Sequence, residues 1–175
     1  MSDKMTPQQR HRCMSRIRSN DTKPEMIVRQ WLWESGFRYR LHVKSLPGTP
    51  DIVIRKLNVV IFINGCFWHG HIKGDCYRPS KSNVDFWETK IKKNRERDVR
   101  NYTQLKSMGW KVFVVWECQL SKKHRTNTLN ALVLELSRIL LEKHGAKLYD
   151  LNEANKTFIA AESDGFYYKN SKHSK

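Results

Sequence analysis

The stretch DIVIRKLNVVIFINGCFWHGH, residues 51–71, decides the fold because it combines buried strands with reactive side chains. DIVIR and NVVIFI are two predicted strands, and a short turn at 56–58 joins them. The run VVIFI is continuously apolar, which is typical of a strand that is buried on both faces of a sheet. Directly after it come a cysteine, a Phe-Trp pair and two histidines. A buried strand therefore leads straight into a candidate functional site.

The sequence before this stretch predicts a helix and another strand. TKPE at 22–25 has the pattern of a capping box, in which Thr22 caps the helix and Glu25 lies three residues on. Apolar residues then recur on one helical face, and Gly36 ends the helix. FRYRLH, 37–42, alternates as a half-buried strand does. The turn LPGTPD, 46–51, delivers Asp51 to the start of DIVIR.

The sequence after this stretch predicts two helices around a second buried strand. Residues 83–107 form a long helix that Gly109 ends, and KVFVVWE, 111–117, is the strand. A strongly periodic helix follows over 129–140 and is closed by Gly145. The apolar stripe of the long helix consists of Val84, Trp87, Ile91, Val99, Tyr102 and Leu105.

The order helix, strand, strand, strand, helix, strand, helix predicts an α/β fold with a central mixed sheet flanked by helices. Residues 1–20 form a basic N-terminal arm, 21–145 the folded domain and 146–175 a polar C-terminal tail. We expect one domain and a monomer.

The charge of the chain points to a polyanionic partner. The 175 residues carry 33 Lys and Arg against 17 Asp and Glu, a formal net charge of +16. Nucleic acid is the commonest partner of so basic a chain, although a merely solubilising surface has the same composition. Six tryptophans argue against a disordered basic protein. The N-terminus has no apolar segment typical of a signal peptide, so we expect a cytoplasmic protein with reduced thiols.

Three closely spaced residues predict a metal site. Cys66, His71 and Cys76 follow the spacing C-x4-H-x4-C, and Cys118 ends the second buried strand. If the two buried strands are neighbours, all four meet at one end of the sheet. Three cysteines and a histidine suit tetrahedral Zn²⁺ with every position filled, which is a structural site. Plain burial of the thiols is the alternative, and His69 competes with His71 for the fourth position.

A second set of residues predicts catalysis. Asp51 begins a strand after a Pro-Gly turn, where a carboxylate suits Mg²⁺, although Asp also favours turns for its own sake. Glu25 is the candidate second carboxylate, unless helix capping alone explains it. His69 is the candidate general acid or base, because histidine titrates near neutral pH. The next strand, VVIFIN, lacks the acidic residue and the lysine that a usual metal-dependent nuclease would place there.

Four segments together resemble the very-short-patch repair (Vsr) endonucleases. They are SLPGTPDIVI, GCFWHGH, FWETKIKKNRERD and GWKVFVVWEC, in order, and the resemblance covers roughly residues 8–120. It implies a restriction-endonuclease-like fold. It also implies an enzyme that nicks one DNA strand 5′ to the T of a T·G mismatch, the lesion left when 5-methylcytosine deaminates. A cognate cytosine-5 methyltransferase and mismatch-repair proteins are the implied partners, and a bacterial nucleoid the implied location.

The resemblance assigns roles to individual residues. Asp51 matches the Mg²⁺ aspartate, Ile63 a backbone carbonyl that also faces Mg²⁺, and His69 and Glu25 the further catalytic residues. Asn64 stands where the best-known members have a histidine proposed as the base for the attacking water. The implied zinc ligands are Cys66, His71, Cys76 and Cys118, and the implied intercalating aromatics are Phe67, Trp68 and Trp87.

The basic residues that we expect to contact the DNA backbone lie in two segments, the arm and the long helix. They are Arg10, Arg12, Arg16, Lys93 and Arg97. Because the side chain of Asn64 cannot act as a base, the alternative function is a catalytically impaired zinc protein that binds DNA mismatches. An RNA-binding protein is disfavoured, since the chain has no RNA-recognition signature.

Overall fold

The computed structural model describes residues 20–71, 76–80 and 82–143, with residues 6, 8, 9, 12 and 15 nearer the N-terminus. Arg10, Arg16, the helix end at Gly145 and the tail 146–175 lie outside the described residues. The element order predicted from the sequence is confirmed. The elements are α1 Lys23–Glu34, β1 Arg40–Leu41, β2 Ile52–Ile54, β3 Val59–Asn64, α2 Val84–Ser107, β4 Lys111–Trp116 and α3 Arg125–Lys143.

The four strands form one mixed sheet in the order β1-β2-β3-β4. β1 and β2 run antiparallel, as do β2 and β3, and Asn58 turns the chain between them with φ 54°. β3 and β4 run parallel, which requires the crossover that α2 supplies. Asn64 pairs with Trp116, so both buried strands end at the same edge of the sheet. The neighbouring strands required by the predicted metal site are therefore confirmed.

Helices cover both faces of the sheet, as predicted. On one face, α1 and α3 bury residues such as Leu32 and Leu132 against β3 and β4. On the other face, α2 buries Tyr102 and Leu105 against Val60 and its neighbours. None of the helices within the described part of the chain is long and apolar enough to cross a membrane.

Two predicted apolar patterns were wrong in detail. Val84 and Val99 are 41% and 37% exposed. The inner face of α2 instead runs through Asp98 and Tyr102, and Val99 lies about 100° around the helix from Asp98. Val84 begins the helix, which at 24 residues is longer than the six-residue strand it covers. The half-buried strand predicted at 37–42 is only the two exposed residues of β1, because it pairs with a single neighbour at the sheet edge.

Candidate active site and metal centre

The four predicted zinc ligands converge at the common end of β3 and β4. The Nδ1 of His71 lies 3.0 Å from the Sγ of Cys76, 3.5 Å from that of Cys118 and 3.8 Å from that of Cys66. All four ligand atoms lie within 4.8 Å of one another. Ligands around a tetrahedral Zn²⁺ are about 3.5–3.8 Å apart, as Zn–S and Zn–N bonds of about 2.3 and 2.0 Å require. The cluster therefore has the size of a closed tetrahedral site.

The chemistry of these thiols also fits a cation. The pKa of the Cys66 thiol is raised to about 12, mainly by burial and also by the neighbouring thiols, against the lowering effect of a backbone hydrogen bond. Burial likewise raises the pKa of Cys118. Three crowded thiols would repel one another as thiolates, and a bound divalent cation removes that repulsion. The ring of His71 stacks on Trp116 at 4.0 Å, which fixes the direction of its Nδ1.

The loop that carries these residues is held tightly against α2. The side-chain amide of Asn94 donates to the carbonyl oxygen of Trp68 at 2.9 Å. Gly70 has φ +57°, and a Cβ there would lie 2.6 Å from Ile91 of α2. Only glycine fits so close an approach in this backbone conformation. The loop is therefore held in place by its packing against α2 and by the Cys/His cluster.

The three predicted intercalating aromatics form one cluster between this loop and the start of α2. The ring of Phe67 lies 5.3 Å from Trp68 and 5.0 Å from Trp87, and the two tryptophans are 5.7 Å apart. All three are partly exposed. Tyr77 and the 59% exposed Phe86 extend the cluster on either side. The structure thus presents a rigid aromatic surface beside the strand ends.

Asp51 lies beside the end of β3. Its Oδ2 accepts a hydrogen bond from the Ile63 backbone N–H at 2.7 Å. The N–H and C=O of one strand residue point to the same side, so the Ile63 carbonyl also faces the Asp51 side of the strand. The pKa of Asp51 is raised to about 6, mainly by desolvation and also by the charge of Glu25, against the lowering effects of the Ile63 hydrogen bond, His42 and Arg29. A partly buried carboxylate beside a backbone carbonyl offers the oxygen donors that Mg²⁺ prefers.

Glu25 is buried and faces the same site, but its cap differs from the predicted one. Thr22 makes no side-chain hydrogen bond to a helix N–H; its hydroxyl donates to Glu25 Oε1 at 2.8 Å. Glu25 Oε2 accepts from the backbone N–H of Asp21 at 3.0 Å and from Arg29 at 2.8 Å. The capping-box prediction was therefore wrong for Thr22, because the Glu25 carboxylate is a stronger acceptor for that hydroxyl.

His69 is paired with Asp98, which ends the segment FWETKIKKNRERD but was given no role from the sequence. The Nδ1 of His69 forms a hydrogen bond with the Oδ2 of Asp98 on α2. A carboxylate only accepts, so Nδ1 carries the proton and Nε2 is left to accept or return one. The side chains of His69 and Asp98 are 22% and 13% exposed. The pair has the arrangement of an oriented general acid or base.

The side chain of Asn64 is directed into the protein and not toward a position where a water molecule would be activated. It is 4% exposed, and its Nδ2 donates to the hydroxyl of Tyr102 at 3.0 Å. Burial is the main cause that raises the pKa of Tyr102, and the charges of Asp98 and Asp51 raise it further. Asn64 thus belongs to the packing between β3 and α2, at the rim of the carboxylate site.

The predicted DNA-contacting residues are exposed where the structure describes them. Arg12, Lys93 and Arg97 are exposed, and Lys93 and Arg97 lie on the outer side of α2. Arg97 also approaches Asp98 at 3.3 Å, so one basic residue borders the His69 pair.

Four residues of the site carried weak signals in the sequence. Asn94 and Asp98 are the polar residues at four-residue spacing on the inner face of α2, within a helix otherwise rich in lysine and arginine. In the sequence, Arg29 resembled an ordinary charged residue of a helix. His42 resembled the last residue of a strand. Spacing along α2 could have suggested Asp98, but only packing shows which residues it faces.

Similarity to known proteins agrees with this geometry. The family model described as DNA mismatch endonuclease Vsr matches residues 2–78. A protein from Neisseria meningitidis serogroup A named as a type II nicking enzyme is 49% identical over 137 residues, 78% of this chain and 97% of that protein.

Two further relatives have similar names. A type II nicking enzyme from Xanthomonas oryzae pv. oryzae is 46% identical over 140 residues, covering 80% of this chain and 98% of that protein. The DNA mismatch endonuclease Vsr of Escherichia coli K12 is 38% identical over 127 residues, 71% of this chain and 80% of that protein.

Proposed function

We propose that this chain, which belongs to the Vsr family of DNA mismatch endonucleases, nicks one strand of duplex DNA 5′ to the T of a T·G mismatch. The fold is the restriction-endonuclease-like α/β fold of that family. The observation that carries the proposal is the common position of three features at the end of β3. Asp51 bonds to Ile63 near the end of that strand. The loop that follows carries His69, which is paired with Asp98, and the partly exposed Phe67 and Trp68.

We assign a Mg²⁺ site to Asp51 and to the backbone carbonyl of Ile63. The donor set fits, because both ligands are oxygens and the Asp51 carboxylate, whose side chain is 19% exposed, lies beside the Ile63 backbone. Mg²⁺ bound there would neutralise charge on the phosphate. Glu25 adds a second negative charge on the same side, within reach of His42 at 3.7 Å.

His69 is the residue that we assign to proton transfer. Asp98 holds the proton on Nδ1, so Nε2 can accept a proton from the attacking water or donate one to the leaving oxygen. Asn64 cannot accept a proton near neutral pH, and its amide is directed to Tyr102. His69 therefore carries the acid–base function that the family otherwise shares with a histidine at position 64.

The aromatic cluster is the element that would select a mismatch. Inserting Phe67, Trp68 or Trp87 between base pairs costs stacking energy, and a mismatched pair lowers that cost. We assign a structural Zn²⁺ to Cys66, His71, Cys76 and Cys118. This ion would hold the loop rigid while an aromatic side chain inserts between the base pairs. Lys93, Arg97 and the basic arm, with Arg10, Arg12 and Arg16, would bind the phosphate backbone.

A catalytically impaired mismatch-binding protein is the second candidate, favoured only by Asn64. The deciding experiment compares strand-labelled duplexes with a T·G or a T·A pair, with and without Mg²⁺, for wild type and Asp51→Ala. We expect a single nick in the T strand of the T·G duplex, dependent on Mg²⁺ and lost in Asp51→Ala. Asp51→Ala should still bind DNA, because the basic surface provides the affinity. Mismatch binding without any nick would support the second candidate instead.

The cellular setting follows from the substrate. An enzyme for deaminated 5-methylcytosine requires a cytosine-5 methyltransferase in the same bacterium, and repair of the nick requires further repair proteins. We therefore place its action at the nucleoid.

A further inference from the structure

The carboxylate site contains a second imidazole, that of His42. His42 follows β1 directly, and its backbone N–H donates to the carbonyl oxygen of Asp51 at 3.4 Å. Its φ is +46°, a left-handed conformation that non-glycine residues rarely adopt. The side chain is 23% exposed and lies between two carboxylates, 3.7 Å from Glu25 and 4.0 Å from Asp51. An unusual backbone conformation thus places the ring in the middle of the site.

Arg29 fixes which nitrogen of His42 carries the proton. The NH2 group of Arg29 lies 2.7 Å from Nε2 of His42. A guanidinium has donors only, so Nε2 must accept and the proton must lie on Nδ1. Nδ1 is the nitrogen that faces Oδ1 of Asp51. At 4.0 Å the separation is longer than a hydrogen bond, and a small rotation of the ring would close it.

The two terminal nitrogens of Arg29 are themselves engaged with acidic partners. Its side chain is 7% exposed and forms ion pairs with Glu25 at 2.8 Å and with Asp21. Asp21, Glu25 and His42 offer ligand atoms within 4.8 Å of one another. The guanidinium already contacts all three residues, so we assign this cluster to an ion pair and not to a second cation.

We propose that His42, held by Arg29, is a positioning residue that orients the metal-binding carboxylate of Asp51. Oδ2 of Asp51 is fixed by the backbone N–H of Ile63, and Oδ1 is the oxygen that His42 faces. With one oxygen bonded to the strand and the other facing the ring, the carboxylate is oriented toward the strand end. The same ring contacts Arg29, which is paired with Glu25, so one chain of contacts connects the two carboxylates. This inference rests on the proposed nuclease function for its consequence, but not for its geometry.

The first test is the tautomer of His42 in the full-length wild-type chain at pH 8. Long-range ¹H–¹⁵N NMR of the imidazole nitrogens distinguishes a proton on Nδ1 from one on Nε2, and His42→Gln identifies the signal. We expect a protonated Nδ1 and an accepting Nε2. A proton on Nε2 would overturn the proposal, since Arg29 could not then hold the ring.

The second test uses Mn²⁺ as the probe, with its binding followed by electron paramagnetic resonance. Asp51→Ala identifies the binding that belongs to this site. His42→Ala should weaken that binding about 10-fold, as loss of an outer partner of a metal ligand does. His42→Gln should restore it to within about 3-fold, because an amide can accept from Arg29 and donate to Asp51. The exposed His124 supplies the control variant, His124→Ala, which should bind as wild type does.

Single-turnover nicking of the T·G duplex completes the comparison. We expect His42→Ala to be about 10-fold slower at subsaturating Mg²⁺, with DNA affinity unchanged, and His42→Gln to recover most of the rate. Wild-type Mn²⁺ affinity in His42→Ala would reject the positioning role. A wild-type chain that nicks no T·G duplex would instead reject the proposed function, and the NMR and Mn²⁺ results would still decide the role of His42.

Discussion

The imidazole of His69 and the carboxylate of Asp98 are hydrogen-bonded although they lie 29 residues apart in the sequence. His69 is on the loop after β3, and Asp98 is on the inner face of α2. The bond therefore joins the loop after β3 to the helix that also supports this loop through Asn94.

We expect Asp98→Asn to slow single-turnover nicking by about 100-fold, because the amide can stabilise the wrong tautomer of His69. The DNA affinity of Asp98→Asn should stay within about 2-fold of the wild-type value. Arg97 is the predicted backbone-binding residue that Asp98 contacts, and its charge is unchanged in the variant. The measurement is quenched nicking of a T·G duplex under enzyme excess. The exposed Glu96 on the same helix provides the control, Glu96→Gln. A wild-type rate in Asp98→Asn would show that His69 needs no partner.

Elemental analysis should find about one zinc per chain, as a single closed tetrahedral site requires. Cys118→Ser should lose the metal and lower the free energy of unfolding by more than about 4 kcal/mol, the range that follows loss of a structural metal. Cys13→Ser is the matched control, because Cys13 is the cysteine of the sequence that we do not assign to the metal. A stable, fully native chain without metal would contradict the zinc assignment.

The Asp51 carboxyl predicts a pH dependence of stability. Its pKa is about 6 in the folded chain against an ordinary 3.8, so the folded state holds this proton more tightly. The resulting stability is fully present below pH 3.8 and is lost as the pH rises through about 6. Asp51→Asn should therefore be more stable than wild type by about 1–3 kcal/mol at pH 8 without Mg²⁺.

Urea unfolding at pH 8 and pH 5 checks this sign. The advantage of Asp51→Asn should shrink by about half at pH 5, where the folded wild type regains its proton. Glu88→Gln, at an exposed position of α2, should show no such pH-dependent gain. An advantage that grows toward low pH would contradict the raised pKa of Asp51.

If the aromatic cluster intercalates, its removal should lower the selectivity for a mismatch more than the affinity for DNA. Replacing Phe67 and Trp68 together by alanine should reduce the preference for T·G over T·A duplexes by about 10-fold or more, since stacking on one base contributes about 1–3 kcal/mol. Fluorescence of a base analogue beside the mismatch reports the unstacking directly. Trp33→Ala removes an exposed tryptophan of α1 and should leave selectivity intact. No fluorescence change on binding wild type would reject intercalation.

The asparagine at position 64 predicts slow nicking near neutral pH. Asn64→His should increase single-turnover nicking between pH 6 and 9, because a positioned base contributes about 100-fold when its geometry is good. The new ring must displace the Asn64–Tyr102 hydrogen bond, so Tyr102→Phe is tested in the same background. Equal rates and equal pH slopes for wild type and Asn64→His would show that His69 already performs the whole task.

Much of the fold could be predicted because its signals are local. Continuous apolar runs identified β3 and β4, and helical periodicity with a glycine after the last turn identified α1 and α2. The metal cluster was also predictable, because cysteine and histidine spacing restricts the chemistry and only one tertiary assumption was needed. That assumption, the pairing of β3 with β4, follows from two buried strands joined by a long helix.

Other features depended on contacts that no local pattern encodes. The hydroxyl of Thr22 bonds to Glu25 and not to the helix N–H, because a buried carboxylate competes for it. Val99 was predicted in the core but is exposed, because the rotation of α2 directs Asp98 and Tyr102 inward instead.

By itself, the sequence determined the order of the elements, the basic charge, the cysteines and histidines from which a metal site can be built, and Asp51 and His69 as candidate catalytic groups. The tertiary structure decided between the two histidines, because His71 lies among the cysteines while His69 pairs with Asp98. Only the tertiary structure decided their partners: Asp98 for His69, Tyr102 for Asn64, and Arg29 with His42 for the two carboxylates. The physical reason is that residue type and periodicity act over a few neighbouring residues. Hydrogen-bond partners in the site depend instead on how far α1 and α2 rotate as they pack on opposite faces of one sheet.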